Sequence, residues 1–424
     1  MNNTSHSRQR HAWLTLCAAA ISMLALANPA SAQCQYEITA VIEGPPCGPS
    51  QTPLPIVGRG MNSHGHVAGS YLRCSVTADE AFYWTPETGL VTMKRPPGVH
   101  SAIATDINDA GMVIGHHLYV GVAWKGFVYD IATQEYIHLD PKYGTGTVSL
   151  NAINNAGIAV GSRSIGKPGQ SPNPYNAVIW DTNTGEVVDL GVGKGPNSVA
   201  VDVNEMGDVA GWSGSSQIST NVRALAWFDR TMVQLGILPG MVRSRSKHLN
   251  NHGEVIGLSN PASGAGLHFL WVDGEMIPLL PPPGYDLIGS ADYSDTRQMT
   301  GHIRVEGTST FHPFLAQHGK YYNMRELVVN VPDGIVIDLT HLISPTGTIL
   351  ARSGTRAVLL SPVDLPVADL NHDCRVDVRD LQMLLDAWSS DVRTRGGNSS
   401  PADLTGDGVV DVSDLLILLA SWSI

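Results

Sequence analysis

One short turn, Asn-x-x-Gly, returns along this chain at an almost fixed interval, and that interval limits the possible folds more than any other feature. Residues 105–115 read TDINDAGMVIG and residues 151–161 read NAINNAGIAVG. The same core recurs as Asn62-Ser63-His64-Gly65, Asn204-Glu205-Met206-Gly207 and Asn250-Asn251-His252-Gly253. Worn copies stand at Ser294-Asp295-Thr296-Arg297 and Ser344-Pro345-Thr346-Gly347. The Asn-equivalent positions 62, 108, 154, 204, 250, 294 and 344 are spaced by 46, 46, 50, 46, 44 and 50 residues. Seven copies make an array, and an array of such units builds a solenoid or a propeller. In each copy Asn is expected to cap the turn or to accept a left-handed conformation, while Gly supplies positive φ.

A second signature runs in phase with the first. From 13 to 26 residues after each Asn position comes an apolar run, usually aromatic: Ala81-Phe82-Tyr83-Trp84, Gly126-Phe127-Val128-Tyr129, Ala177-Val178-Ile179-Trp180, Leu225-Ala226-Trp227, His268-Phe269-Leu270-Trp271, His312-Pro313-Phe314-Leu315 and Ala357-Val358-Leu359-Leu360. A third run follows a turn such as Asn183-Thr184-Gly185 or Asp273-Gly274, both hairpin signals. Three or four short strands per unit match one β-propeller blade. The aromatic run reads as a strand buried between blades, because packing needs such residues in every repeat whereas a sugar-stacking site needs them in one or two. The seventh copy ends at Leu360 without its third run, and Tyr36–Ile42 supplies a matching strand at the other end of the chain. The expected fold is therefore all-β, a seven-bladed propeller closed by an N-terminal strand that leaves no open edge. Six or eight blades, or an open solenoid, are the alternatives.

Composition agrees. Only 15% of residues are charged, and 44 Gly and 26 Pro favour strands and turns over helices. A net charge of −12 without a basic block argues against nucleic acid as a partner. Residues 1–32 read as a signal peptide: Arg8 and Arg10, an apolar stretch Trp13–Ala27, then the Ala30-Ser31-Ala32 cleavage site. An N-terminal anchor is the alternative, but the apolar stretch is short for a span. The expected locations are secreted, periplasmic or cell-surface, with no membrane span after cleavage. Four cysteines remain, Cys34, Cys47, Cys74 and Cys374, with three possible connectivities. Proximity favours Cys34 with Cys47.

The Asn-x-x-Gly-x-Val-x-Gly turn and the His-Ala-Phe-Leu-Trp type of strand resemble the HAF family of extracellular repeats over about residues 56–360. That resemblance implies an exported repeat protein and brings no catalytic residues.

The tail carries the sharpest chemistry. Asp369, Asn371, Asp373, Arg375, Asp377 and Asp380 occupy positions 1, 3, 5, 7, 9 and 12 of a 12-residue loop, and Asp403, Thr405, Asp407, Val409, Asp411 and Asp414 repeat them 34 residues later. Side-chain oxygens at five positions and a backbone carbonyl at the seventh, from Arg375 and Val409, form a Ca²⁺ loop. Residues 362–424 hold 11 Asp, and eight of them sit at ligand positions, which a merely solvated acidic surface would not show. Val376 and Val410, at position 8, are expected to pack inward. Position 12 is Asp where an EF-hand has Glu. Each loop runs into an apolar helix, LQMLLDAW or LLILLASW, with no entering helix. This arrangement resembles a type I dockerin over residues 367–424. The resemblance implies two Ca²⁺ ions and docking onto a cohesin-like module or another extracellular partner. The contact residues would lie near positions 10 and 11, here Val378-Arg379 and Val412-Ser413 in place of the Ser-Thr pair of cellulosomal dockerins.

The chain thus divides into a signal peptide at 1–32, a repeat propeller at 33–361, a linker at 362–366 and a dockerin-like domain at 367–424. A dockerin commonly accompanies a polysaccharide-degrading enzyme. Yet there is no G-x-S-x-G, H-E-x-x-H, P-loop or sialidase-type Asp box, and the 16 His are scattered. The sequence leans away from catalysis and towards an exported recognition or structural protein, with polysaccharide a candidate ligand. The alternative is a glycoside hydrolase or lyase whose active site lies on the propeller.

Overall fold

A computed structural model of the chain describes residues 35–49, 51–74, 76–119, 124–140, 146–166, 174–193, 195–215, 219–317, 319–363, 366–371, 375–388, 400–405 and 409–422. The signal segment, Cys34, Cys374 and the loop residues Asp373 and Asp407 lie outside them.

Seven antiparallel four-stranded sheets follow one another around an axis. Blade 1 consists of Ile56–Met61, Val67–Leu72, Asp79–Thr85 and Gly89–Thr92 in that order outwards. The innermost strands of blades 2 to 7 are Val99–Ile107, Val148–Ile153, Asn197–Val203, Arg243–Leu249, Tyr285–Tyr293 and Leu339–Ile343. Each runs into its Asn turn, and the aromatic run is the third strand. Blade 7 takes three strands from the end of the array and its fourth from the N-terminal side. There Gln35–Ile42 pairs antiparallel with Arg356–Val363, Gln35 opposite Val363 and Ile42 opposite Ala357. The expected closure is observed. Pro362 and Val363, read as linker from sequence, are the end of the strand it pairs with, Arg356–Val363.

Every joint between neighbouring blades holds its own apolar cluster, seven in all. The third strands supply the largest pieces: Phe82, Phe127, Trp227, Phe269 and Phe314 are at most 1% exposed. Burying one such ring stabilises the fold by roughly 1.5–3 kcal/mol, which explains why an aromatic returns in most repeats.

The turn residues behave partly as expected. Gly65, Gly111, Gly157, Gly207, Gly253 and Gly347 have φ between +75° and +82°, a region that favours glycine. The Asn does more than shape its own turn. In blade 3 the Asn154 Oδ1 accepts the Ile158 N–H at 2.9 Å, while its Nδ2 donates to the Asn204 carbonyl of the next blade at 2.9 Å. Equivalent cross-blade bonds run from Asn62 to Asn108, Asn108 to Asn154, Asn204 to Asn250 and Asn250 to Ser294. A girdle of side-chain amides therefore links blades 1 to 6. Blades 6 and 7 carry Ser294 and Ser344 at this position, and the ring is completed there by the closing strand.

The disulfide expectation needs correction. Cys47 pairs with Cys74, their Cα atoms 5.6 Å apart, rather than with Cys34. A short hairpin of Pro46–Cys47 with Thr52–Pro53 carries Cys47 outward, and Cys74 follows the second strand of blade 1. Sequence proximity did not reveal that meeting.

In the tail, helices Val378–Asp386 and Val412–Ala420 surround a separate small core of Ala368, Leu370, Val376, Leu384, Val410 and Leu418. Val376 and Val410 are fully buried, as their position in the loop predicted. Among the described residues no helix is long and apolar enough to cross a membrane.

Candidate functional site

The seven inner strands line an axial channel, a cavity of about 250 Å³. Each strand carries a β-bulge just before its turn. The residue two positions ahead of the turn Asn is, from blade 1 to blade 7, Gly60, Asp106, Ala152, Asp202, His248, Asp292 and Leu342. Carboxylates thus fall on alternate blades, and no sequence expectation singled them out, although aligning the seven turns was enough to show them. Gly60 is required beside Asp106, because a Cβ there would overlap the Asp106 backbone.

Each of these carboxylates is a staple. Asp106 accepts the Ile107 N–H and, across the joint, the Ile153 N–H of blade 3, both at 2.9 Å. Asp202 does the same for Val203 and Leu249 of blade 5, and Asp292 for Tyr293 and Ile343 of blade 7. His248 lies between two of them, its Nδ1 3.2 Å from Asp292 and 3.7 Å from Asp202. Solvent in the lumen reaches 30% of the His248 side chain and 12% of Asp292. Burial pushes the Asp106 carboxyl up to about 7, against the pull of the two N–H groups. Burial raises Asp292 as well, opposed by His248. Burial alone would lower His248, but Asp292 and Asp202 outweigh it and hold the imidazole above its ordinary value.

In each calcium loop, backbone N–H groups close on the position-12 carboxylate. Asp380 is fully buried, accepting the Leu370 and Asn371 N–H groups on one oxygen and the Asp377 N–H on the other. Asp377 caps the following helix by accepting from the Arg379 N–H. The second loop repeats this: Asp414 accepts from Thr405 and Asp411, and Asp411 caps through Ser413. The position-12 Asp is thus also half of a capping box, a role that the ligand pattern did not foretell. Asp369 and Asn371 are 3% and 4% exposed, whereas Asp403 is half-buried and Thr405 exposed. The donor set fits a hard divalent cation. Two buried carboxylates, Asp369 and Asp380, share one loop with the amide oxygen of Asn371, the hard oxygen donors that such a cation takes. Arg375 and Val409 sit at the carbonyl position of each loop; Asp373 and Asp407 fall outside the described residues. The same loop-and-helix segment matches the family model described as dockerin type I domain, over residues 367–420.

Residues 367–420 are a type I dockerin domain. Dockerins of this type generally bind calcium and dock onto cohesin modules. Over blades 1 to 3, residues 56–192 match a family described as a protein of unknown function, DUF3466. That is the family matched by the repeats, in place of the HAF family that the motif resembles. No curated protein matches the chain. Among solved structures, the β-propeller domain of the trilobed protease from Pyrococcus furiosus is similar at 11% identity, covering 73% of this chain and 95% of that one, with a TM-score of 0.45. An oligogalacturonate lyase from Vibrio parahaemolyticus is similar at 12% identity over 78% and 99% of the two chains, TM-score 0.47. An acylaminoacyl peptidase from Pyrococcus horikoshii is similar at 11% identity over 73% of this chain and 51% of its own, TM-score 0.46.

Proposed function

We propose that this chain is an exported, non-catalytic recognition protein: the propeller binds an extracellular ligand, and the dockerin attaches it to a partner module when its two loops hold Ca²⁺. The observation that carries this reading is the dockerin match over residues 367–420, supported by buried position-12 carboxylates, Asp380 and Asp414, that accept backbone N–H groups of their own loops. Asp373 and Asp407, with the Arg375 and Val409 carbonyls, complete the proposed ligand sets. Such a module makes sense on a protein that works outside the cell, as the Arg8–Ala32 signal segment also implies.

The enzyme reading has one observation in its favour, an Asp held near neutrality in an enclosed channel, and shifted groups of that kind gather at active sites. Against it, Asp106, Asp202 and Asp292 each use both oxygens on backbone N–H groups, so they are already employed in joining blades. The test is a glycan array together with a polysaccharide screen for released reducing ends, run on the full chain with Ca²⁺. Binding without product supports recognition. Product release that Asp106→Asn abolishes would replace this reading with a catalytic one. Capture by a cohesin module that disappears on chelation tests the docking half.

A further inference from the structure

Building on the recognition reading, we infer that a cavity formed by blades 3 and 4 is a binding site for a neutral saccharide. The cavity is about 600 Å³ and shares Asn151 and Val201 with the axial channel. Its volume lies within the range of roughly 300–1,000 Å³ in which proteins hold small ligands. Thr147 and Ser149 stand around the start of the inner strand of blade 3, and Ser162 and Ser164 at the far end of its second strand, Ile158–Ser164. Tyr175 opens the third strand of that blade, while Val199 and Trp212 come from blade 4. The cavity therefore lies at the end of the blades away from the turn at Asn154.

Neither aromatic belongs to the repeated run that packs the joints. Tyr175 stands ahead of Ala177-Val178-Ile179-Trp180. Trp212 lies eight residues after its turn Asn, where the other blades carry Ser70, His116, Ser162, Leu258, His302 and Arg352. A side chain that the array needs returns in every repeat, whereas an indole present in one blade answers a local demand. Trp212 is 3% exposed, yet its indole N–H has no hydrogen-bond partner among the described residues. The indole of Trp227, one of the repeated set, donates to the Leu190 carbonyl at 3.2 Å, as a buried Trp usually does. The hydroxyls of Thr147, Ser149, Ser162 and Tyr175 likewise make no hydrogen bond among the described residues. Ser164 accepts the Thr147 N–H at 2.8 Å and keeps its own O–H to donate. Asn151 donates its Nδ2 to the Ala200 carbonyl at 2.6 Å, which fixes the amide and leaves Oδ1 as an acceptor.

These groups define the occupant. No Asp, Glu, Lys, Arg or His lines the cavity, so a charged ligand would give up water there without gaining a counter-charge. A wholly apolar ligand would strip water from the five hydroxyls, the Asn151 amide and the indole N–H. Each polar group left unpaired in that way costs about fivefold or more in affinity. A neutral sugar meets both conditions. Its hydroxyls donate and accept, as the serine, threonine and tyrosine hydroxyls do, and one of them can receive the indole N–H. Its ring faces are apolar and match the surface of Tyr175, Trp212, Val199 and Val201.

Calorimetry on the full chain with Ca²⁺ tests the site, with xylo-, cello-, manno- and chito-oligosaccharides of equal length as neutral probes and an oligogalacturonate as the charged one. At least one neutral sugar is expected to bind at least about tenfold tighter than the oligogalacturonate. Ser149→Leu fills the cavity from a half-buried position and should weaken that binding by about tenfold or more. Trp212→Phe keeps an aromatic ring and removes the N–H, so it should weaken binding by about two- to tenfold. Melting temperatures without ligand report whether each variant is folded, and if Ser149→Leu is not, Trp212→Phe decides. Met206→Ala, on an exposed turn, should bind as the parent chain does. Tighter binding of the oligogalacturonate than of every neutral probe, or neutral binding indifferent to both variants, would overturn this site and leave the recognition reading standing. Failure of every sugar to bind would also overturn the site. Hydrolysis of a neutral probe that still depends on Ser149 and Trp212 would do the reverse, keeping the site and removing the recognition reading.

Discussion

Replacing Asn154 separates the two roles of the turn asparagine. The residue is 3% exposed and makes two side-chain bonds: it accepts from Ile158 within its turn and donates to the Asn204 carbonyl across the joint between blades 3 and 4. Stripping a partner from a buried polar group costs about 1–3 kcal/mol. Asn154→Ala removes both bonds and should cost about 2–6 kcal/mol. Asn154→Ser is the natural solution of blade 7, where the Ser344 hydroxyl accepts the Thr348 N–H at 3.1 Å. It keeps the turn and loses the girdle, so it should cost about 1–3 kcal/mol. Urea unfolding followed by tryptophan fluorescence is a suitable assay, since Trp227 packs in the affected joint and Trp180 in the joint before it. Met206→Ala, at a residue 77% exposed in the next turn, is the neutral control. If Asn154→Ser is as stable as the parent chain, the cross-blade bond contributes nothing. If it falls as far as Asn154→Ala, the turn contributes nothing. Either result refutes the division of labour.

Deleting residues 35–42 should open blade 7, exposing Arg356–Val363 as a free edge, and light scattering should detect association of the truncated chain; a monomeric, fully cooperative variant would contradict this. Acidification should destabilise the propeller. His117 and His268 are lowered to about 3 and His116 and His302 to about 4, all chiefly by burial, so their stability is present above about pH 6.5 and lost as pH falls towards those values. Asp106, raised to about 7, works oppositely and contributes most at low pH, as do the raised Asp292, Glu205 and His248, but His66, His138 and His341 are lowered as well, so these four stand against seven histidines. A melting temperature that holds or rises between pH 6.5 and 4.5 would contradict the balance. Between the calcium loops, position 6 is Gly408 in the second and Cys374 in the first. A non-Gly residue held left-handed costs roughly 1–2 kcal/mol, about five- to thirtyfold in affinity. The loop from Asp403 to Asp414 should therefore bind tighter, and calorimetry on Asp369→Ala and Asp403→Ala chains should show the first of these retaining the tighter site.

Blade count and closure were legible because the turn and the aromatic run are local signals repeated in phase. The missing strand after Leu360 and the orphan strand at Tyr36 then required each other. The girdle was not legible, since the partner of Asn154 Nδ2 is a backbone carbonyl 50 residues away, and sequence has no mark for a carbonyl. The Cys47–Cys74 pair escaped for the same reason: its geometry depends on a hairpin folding back over blade 1. The channel carboxylates were visible in principle, but the motif draws the eye forward from Asn to Gly, and they stand behind it. In the dockerin the loop spacing and the domain were legible, whereas the capping role of Asp380 and Asp414 became visible only with the backbone N–H groups in place.

Carboxylate staples on blades 2, 4 and 6 tie each of those blades to its successor, giving the doublets 2–3, 4–5 and 6–7 with blade 1 left over. A ring assembled in this way has a natural unit of inheritance twice the length of its visible repeat. Duplicating or losing one of these six blades would set two stapling blades, or two receiving ones, side by side, while copying a doublet preserves the alternation. Relatives of this propeller should therefore differ in size by two blades more readily than by one.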